Sequence, residues 1–439
     1  MIVDFSGFDF PGSGLPGSPG GGNFLEQILG DLLQLIGRAS PSGSGHLELA
    51  RSLAQGVATS GEPEGNVDPG ERIELEELTR IAELHVGEVT GMAATPTGAA
   101  LEIKTLTPGA WAAQTVADWS YLLEALSETL PPGSSEISAG DGTAAGPGSS
   151  DETDPAGSSV MHLPLEDEPL ESADMLKRWM ATIGPMFAAL QLGSAVGHLA
   201  RNTIGQYEVT VPRDDSGRVL VVPGAIRDFA DAWSLPVADV RMWVCIRDMT
   251  IHTVLSRPHV QARFKRLLQA LAGSVAEGAL GAIERLGDLD MSDPQSFQQL
   301  LEDPEALMDI KPSPARRRAA EELGALQAVL LGYTDHVLDL VGVRLLGGRS
   351  TIGEAWRRRQ MEGDSSSRAL ELLLGIDSSP AQADRGRAFV DGVLERSGDG
   401  GLARLWAGAK LLPTPAEVEA PGLWLERIEI DDGEEDALS

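Results

Sequence analysis

The chain has a single cysteine, Cys245, few aromatic residues (5%), a deficit of basic residues and no long apolar run. Each shortage excludes something. One thiol cannot build a disulfide framework or a cysteine zinc site within one chain. The apolar neighbours of Cys245 mark it as a small buried hydrophobe. No stretch approaches the ~18 consecutive apolar residues of a membrane helix. Met1–Gly22 carries Asp4 and Asp9 and lacks a basic segment followed by an apolar one, so it does not read as a secretory signal. The expected location is the cytoplasm. Against 34 Lys and Arg stand 66 Asp and Glu, a formal charge of -32. That excess repels phosphate backbones and anionic lipid, so neither nucleic acid nor a membrane is an expected partner.

What is present is ordinary globular material, with hydrophobic residues at 42% over 439 positions. The 51 Gly and 27 Pro are concentrated enough in places to punctuate it. Residues 1–22 are Gly/Pro-rich and are expected to form a disordered tail. Residues 23–130 read as an N-terminal helical region, with a short apolar helix around Phe24–Ile36. Residues 131–171 contain no Lys or Arg and are rich in Gly, Ser, Asp and Glu, the pattern of an acidic disordered linker or insertion. Residues 172–439 form the main body.

Within these regions the apolar spacing is helical. His46–Ala58, Ile73–Thr90 and Trp111–Leu130 each show it, as does the face marked by Ile183, Phe187 and Leu190. Gly193 and Gly197 then allow close helix packing. The β signal is Tyr207–Val211 and Arg218–Val222, which flank the turn residues Asp214-Asp-Ser-Gly217 and predict a hairpin. Beyond it, Ser313-Pro314, Ser379-Pro380 with Gln382, and Thr414-Pro415 with Glu417 mark helix starts. The expected fold is mainly α with one small β-hairpin.

Pro236 opens a helix that runs to about Leu255, with an apolar stripe of Val237, Val240, Val244, Ile251 and Leu255. Arg247 and Asp248 fall on that stripe. A charged pair is costly to bury unless both members are bonded. Two readings stay open: an ion pair tying this helix to a neighbour, or a variant of a helical metal site. His252, four residues after Asp248, lies toward the stripe's edge, where the two side chains could share a ligand.

The stretch Val240-Arg-Met-Trp-Val-Cys-Ile-Arg-Asp-Met-Thr-Ile-His252 resembles the metal-binding helix of the zincin-like metallopeptidase type 2 family. That family is often labelled a hydrolase family, and one branch is associated with deazaflavin-coenzyme biosynthesis. The resemblance continues in order through Gly197–Gly205, Val219–Phe229, Leu330–His336, Ile352–Arg359, Leu370–Ile376 and Leu405–Pro415. It covers most of the chain outside 1–22 and 131–171. It implies a zincin-like helical fold and a zinc-dependent hydrolase ancestry. In the family's H-E-x-x-H, two histidines one turn apart grip zinc, and the glutamate takes a proton from zinc-bound water. Here that motif reads Arg247-Asp248-Met249-Thr250-Ile251. Asp248 stands at the general-base position. The ligand histidines are Arg247 and Ile251, and the family's later glutamate falls on Leu331, before Gly332-Tyr333. None of these three side chains is a zinc ligand, so no metal or other cofactor is expected.

The residual candidates for a shifted metal site are Asp248, His252, Asp335 and His336. On their own helix, however, the stripe Leu323, Leu326, Leu330, Val337 and Val341 is expected to turn Asp335 and His336 to a solvated face. Arg316–Arg318 and Arg357–Arg359 read as solvated or internally paired clusters. There is no P-loop, dinucleotide fingerprint or nucleophile elbow. Three functions remain: a catalytically degenerate member, a pseudoenzyme that binds a peptide or protein partner; an active hydrolase with an unusual zinc site around Asp248 and His252; and a structural or interaction protein.

Overall fold

A computed structural model of the protein describes residues 44–128, 172–214, 217–287, 313–347, 350–362, 370–371 and 373–438. The tail at 1–22, the helix expected at Phe24–Ile36 and the acidic segment 131–171 lie outside them. The described chain is mainly α, as the apolar periodicity requires. In order, its helices are α1 (Ser44–Thr59), α2 (Pro69–Thr90), α3 (Pro108–Asp118), α4 (Ser120–Glu128), α5 (Ser172–Ala200), α6 (Pro223–Ala232), α7 (Val237–Leu255), α8 (Pro258–Gly287), α9 (Pro314–Leu346), α10 (Ser350–Glu362), α11 (Pro380–Ala403), α12 (Pro415–Glu419) and α13 (Pro421–Leu438). Strand β1 (Glu102–Thr105), strand β2 (Arg218–Val221) and a short 3-10 turn at Ala409–Leu411 complete the set.

Several helix starts are fixed by side chains, and Ser313 and Thr414 are among those read above. Asp68 accepts the amides of Gly70 and Glu71 at the start of α2, and Ser313 accepts that of Arg316 at the start of α9. Thr414 and Glu417 form a capping box at α12. Ser379 precedes α11 but makes no side-chain cap, so the box with Gln382 is not realised. The single helix expected over Trp111–Leu130 is two, α3 and α4, broken at Trp119.

The expected hairpin is absent among the described residues. Arg218–Val221 is a strand, but it pairs in parallel with Glu102–Thr105, with Glu102 opposite Arg218 and Thr105 opposite Val221. Tyr207–Val211 forms no strand; it lies in an irregular, mostly buried stretch, Thr203–Arg213. Its alternating Tyr, Val and Val are buried as a hairpin would bury them. The difference is that its backbone groups are bonded to side chains of other elements, described below, and are lost to a ladder.

Helix α7 is the centre of the packing. Residues Val240 to Leu255 are all buried, so the helix has no solvent face and the stripe read from its sequence is only one of its contact faces. It is flanked by α2, α6, α8, α9 and β2. Helices from residues 44–128 and from 172–438 share one hydrophobic cluster. Two crossings are set by glycine. Gly193 and Gly197 place α5 against α1, where an added Cβ would come 2.6 Å from the carbonyl oxygens of Ala50 and Ala54. Tighter still, a Cβ at Gly386 of α11 would lie 1.6 Å from the Ala328 carbonyl oxygen of α9, and one at Gly332 would lie 2.1 Å from the Gly386 carbonyl carbon. Backbone cannot yield as a flexible side chain does, so Gly386→Ala is expected to cost about 3 kcal/mol or more. Gly324→Ala, whose nearest neighbour is the Gln382 side chain at 3.5 Å, is expected to be neutral or to gain up to about 1 kcal/mol from helix propensity. Urea unfolding of the two variants measures the contrast.

Candidate functional site

The site is built where α7 meets the buried stretch Thr203–Arg213. A buried irregular segment needs partners for its own N–H and C=O groups, since neither water nor a ladder supplies them. Side chains supply them here. Asp248 Oδ2 accepts the amide of Gln206 and, at 3.4 Å, that of Tyr207. Arg247 Nη1 donates to the Tyr207 carbonyl at 2.9 Å and to Asp248 Oδ1 at 3.1 Å. Arg213 Nη2 donates to the Gln206 carbonyl at 3.4 Å, and the Tyr121 hydroxyl donates to that of Pro212 at 3.0 Å. Glycine is required at 205, because a Cβ there would meet Asp248 Oδ2 at 2.0 Å.

Arg247 and Asp248 are 5% and 2% exposed, which places the pair inward, as their position on the stripe predicts. The Arg247 guanidinium also lies over the Trp356 ring, 4.7 Å from its centroid. Burial pushes the Asp248 carboxyl up from 3.8 to about 6, against the pull of Arg247 and of the two amides. His252 is 1% exposed. Its Nδ1 lies 3.0 Å from the Tyr207 hydroxyl and 3.4 Å from Gln206 Nε2. Burial holds the Tyr207 phenol above its ordinary value of 10, so it meets Nδ1 as a neutral hydroxyl. Asp248 and His252 both face Gln206 and Tyr207: Asp248 holds their backbone amides, and His252 meets their side chains.

The far end of the stretch is fixed by a second buried charge cluster that the sequence reading missed. Arg213 Nη1 meets Asp118 Oδ2 at 2.8 Å and Nη2 meets Thr115 Oγ1 at 2.9 Å, while Arg218 also pairs with Asp118. Arg213 lies between the rings of Trp111 and Trp119, at 5.3 and 5.8 Å. No short motif announces these residues, since Asp118 and Arg213 are 95 positions apart.

The other candidates do not converge on Asp248. Asp335 was expected on a solvated face; it is half-buried, paired with Arg357 Nη2 at 3.3 Å, and lines a cavity with Arg247 and Leu331. The reason is that α10 covers that side of α9, which the stripe alone could not show. His336 faces Arg387, Asp339, Asp391 and Asp399 instead, and burial lowers its pKa. Arg357–Arg359 is internally paired: Arg357 with Asp335 and Asp384, Arg358 with Glu354, Arg359 with Glu208. Cys245 is buried with its thiol 3.4 Å from Thr79 Oγ1, and desolvation raises it to about 12.

The sequence profile of the zincin-like metallopeptidases matches residues 46–425. The chain belongs to the zincin-like metallopeptidase family. Its fold is also similar to that of a crystal structure from Chloroflexus aurantiacus, described as a candidate hydrolase with a novel fold. The TM-score is 0.55 at 20% identity, over 87% of this chain and 98% of that one. No curated protein matches the chain.

A zincin-like metallopeptidase implies zinc, and the residues that the resemblance sets at the ligand positions do not fit it. The guanidinium of Arg247 is a cation with no lone pair to give, and Ile251 and Leu331 are buried hydrocarbon. Among the described residues no group of three or more His, Cys, Asp or Glu could hold a metal ion. Asp248 has its oxygens turned to Arg247 and to the loop amides.

Two outcomes follow. Arg247→Met and Asp248→Leu each strand a buried charge and are expected to cost about 3–5 kcal/mol, while the double variant costs much less; denaturant unfolding of the three constitutes the cycle. The second concerns pH. The folded chain takes a proton on Asp248 near pH 6, whereas the ordinary carboxyl value is 3.8. Folded Asp248 thus binds its proton first, so its contribution to stability grows as pH falls through that window. The stability difference between the parent and Asp248→Asn, measured from pH 7 to 4, is expected to move in the parent's favour.

Proposed function

We propose that this chain is a catalytically degenerate zincin-like metallopeptidase that works without a metal, by binding a peptide or protein partner. The observation that supports it is the work done by Arg247 and Asp248. At the positions where the family holds a ligand and a general base, they bond to each other and to the backbone of Gln206 and Tyr207. The ion pair takes over the cross-linking role of a metal, joining α7 to the buried stretch beside it. What stays open to a partner is the small cleft on the other side of Arg247, between α7, α9 and α10.

The reading as an active hydrolase draws on Asp248, whose pKa near 6 suits a general base. Burial weighs against it. Asp248 and His252 are 2% and 1% exposed and face Gln206 and Tyr207, which leaves a substrate no route to either.

Elemental analysis of the purified full chain after gel filtration tests the proposal. The expected result is no stoichiometric zinc. Roughly one tightly held zinc per chain, with a hydrolytic activity lost on His252→Ala, would overturn it.

A further inference from the structure

The cleft beside Arg247 has features that its role as a structural clamp does not explain. It is a cavity of about 30 Å³ whose lining includes Arg247, Leu331, Asp335, Trp356, Arg357 and Ser378. Both protein acceptors of Arg247 are met by one nitrogen, Nη1. Among the described residues, Nε and Nη2 meet none. Ser378 is 8% exposed, and its hydroxyl is buried with no hydrogen-bond partner among those residues. A buried hydroxyl left unpaired costs about 1–3 kcal/mol. Such a group in a native fold calls for an explanation, and a ligand in the adjoining cavity is one.

The chemistry of the lining selects the ligand. It carries two guanidinium groups and one carboxylate, and that carboxylate, Asp335, is already engaged by Arg357. Arg247, which also lines the space, meets protein acceptors through Nη1 alone among the described residues. The unused donors are N–H groups of a planar fork and an O–H, which suit an acceptor with two coplanar oxygens. A water needs about 10–15 Å³ of such space, so the cavity admits a small polar group. The face of Trp356 and the side chain of Leu331 supply apolar walls.

We infer that this cleft is a carboxylate-binding site, with Arg247 and Ser378 as the donors that receive the two oxygens. The inference rests on the metal-free reading above, and it gives that reading a ligand chemistry. The carboxylate is either a peptide C-terminus or that of a small organic acid. In both cases only the head group enters, and the remainder lies outside, along α10.

Calorimetric titration of the full chain, in chelator-containing buffer and with zinc content measured on the same sample, tests it. The probes are acetate, N-acetyl-trialanine and the C-terminal amide of that peptide. The acid peptide is expected to bind at least ~10-fold more tightly than the amide, because the amide loses the charge-assisted bonds. If acetate matches the acid peptide, the site reads the head group alone; if the peptide binds more tightly, it reads a chain terminus. Either result supports the assignment. Ser378→Ala is expected to weaken the acid about 3- to 10-fold with an unchanged or raised Tm, since it removes an orphaned hydroxyl from the empty state. Arg247→Lys, which keeps the charge but loses the fork, is expected to weaken it further. Equal binding of acid and amide, or no binding of any probe up to ~10 mM, about 2.7 kcal/mol, by zinc-free protein overturns this inference alone. Zinc-bearing protein overturns the reading beneath it.

Discussion

An eleven-residue irregular stretch, Thr203–Arg213, runs through the interior of this protein, and most of the arrangement around it serves to satisfy that stretch. Peptide groups taken out of water must be bonded, and a helix or sheet would do so internally. This stretch is neither. Its amides and carbonyls are met instead by Asp248 and Arg247 from α7, by Tyr121 from α4, and by Arg213 within itself. Gln327 of α9 reaches Thr210 at 2.9 Å. Arg247, Asp248 and Arg213 thus bond, inside the core, a backbone that would otherwise be unsatisfied. The polarity that looks expensive on α7 in isolation is the complement of a polarity the chain cannot avoid.

The same requirement explains how much of the molecule could be read in advance. Helices whose signal is local were legible: the limits of α7, the caps at Ser313 and Thr414, and the small-residue contact at Gly193 and Gly197 all follow from short spacings. The inward placement of Arg247 and Asp248 was legible too, because helical periodicity puts them beside Val244 and Ile251. The hairpin was not. Alternating apolar residues report burial, and Tyr207, Val209 and Val211 are indeed buried. They do not report what the backbone bonds to. The true partner of Arg218–Val221 is Glu102–Thr105, more than a hundred residues earlier, and four residues carry little signal of their own. Asp335 failed for a related reason. A stripe says which face meets the core, but not that a second helix, α10, will roof another face.

Family membership gives the site a history in terms of residue types. A zinc site ties distant chain segments through one ion with directional bonds, and it needs lone pairs in fixed places. An arginine-aspartate pair can tie the same segments through hydrogen bonds, and it needs backbone acceptors and donors in fixed places. On the reading proposed above the two devices are alternatives at one location, and a guanidinium at 247 with hydrocarbon at 251 and 331 suits the second. In this chain the Tyr207 carbonyl and the Gln206 amide complete it.

Helix α10 illustrates a different kind of attachment from the rest of the body. The crossing of α9 and α11 is held by contact of backbone on backbone at Gly332 and Gly386, which salt does not touch. Helix α10 buries Ile352, Ala355 and Trp356, but its neighbouring arginines reach out in separate directions to Asp335, Asp384 and Glu208. Partly exposed ion pairs of this kind weaken as the Debye length shrinks, from about 10 Å at 0.1 M to about 3 Å at 1 M. Ionic strength therefore acts selectively on this molecule. It reaches the ion pairs of α10 and not the glycine crossing of α9 and α11, so the two attachments answer to different properties of the medium.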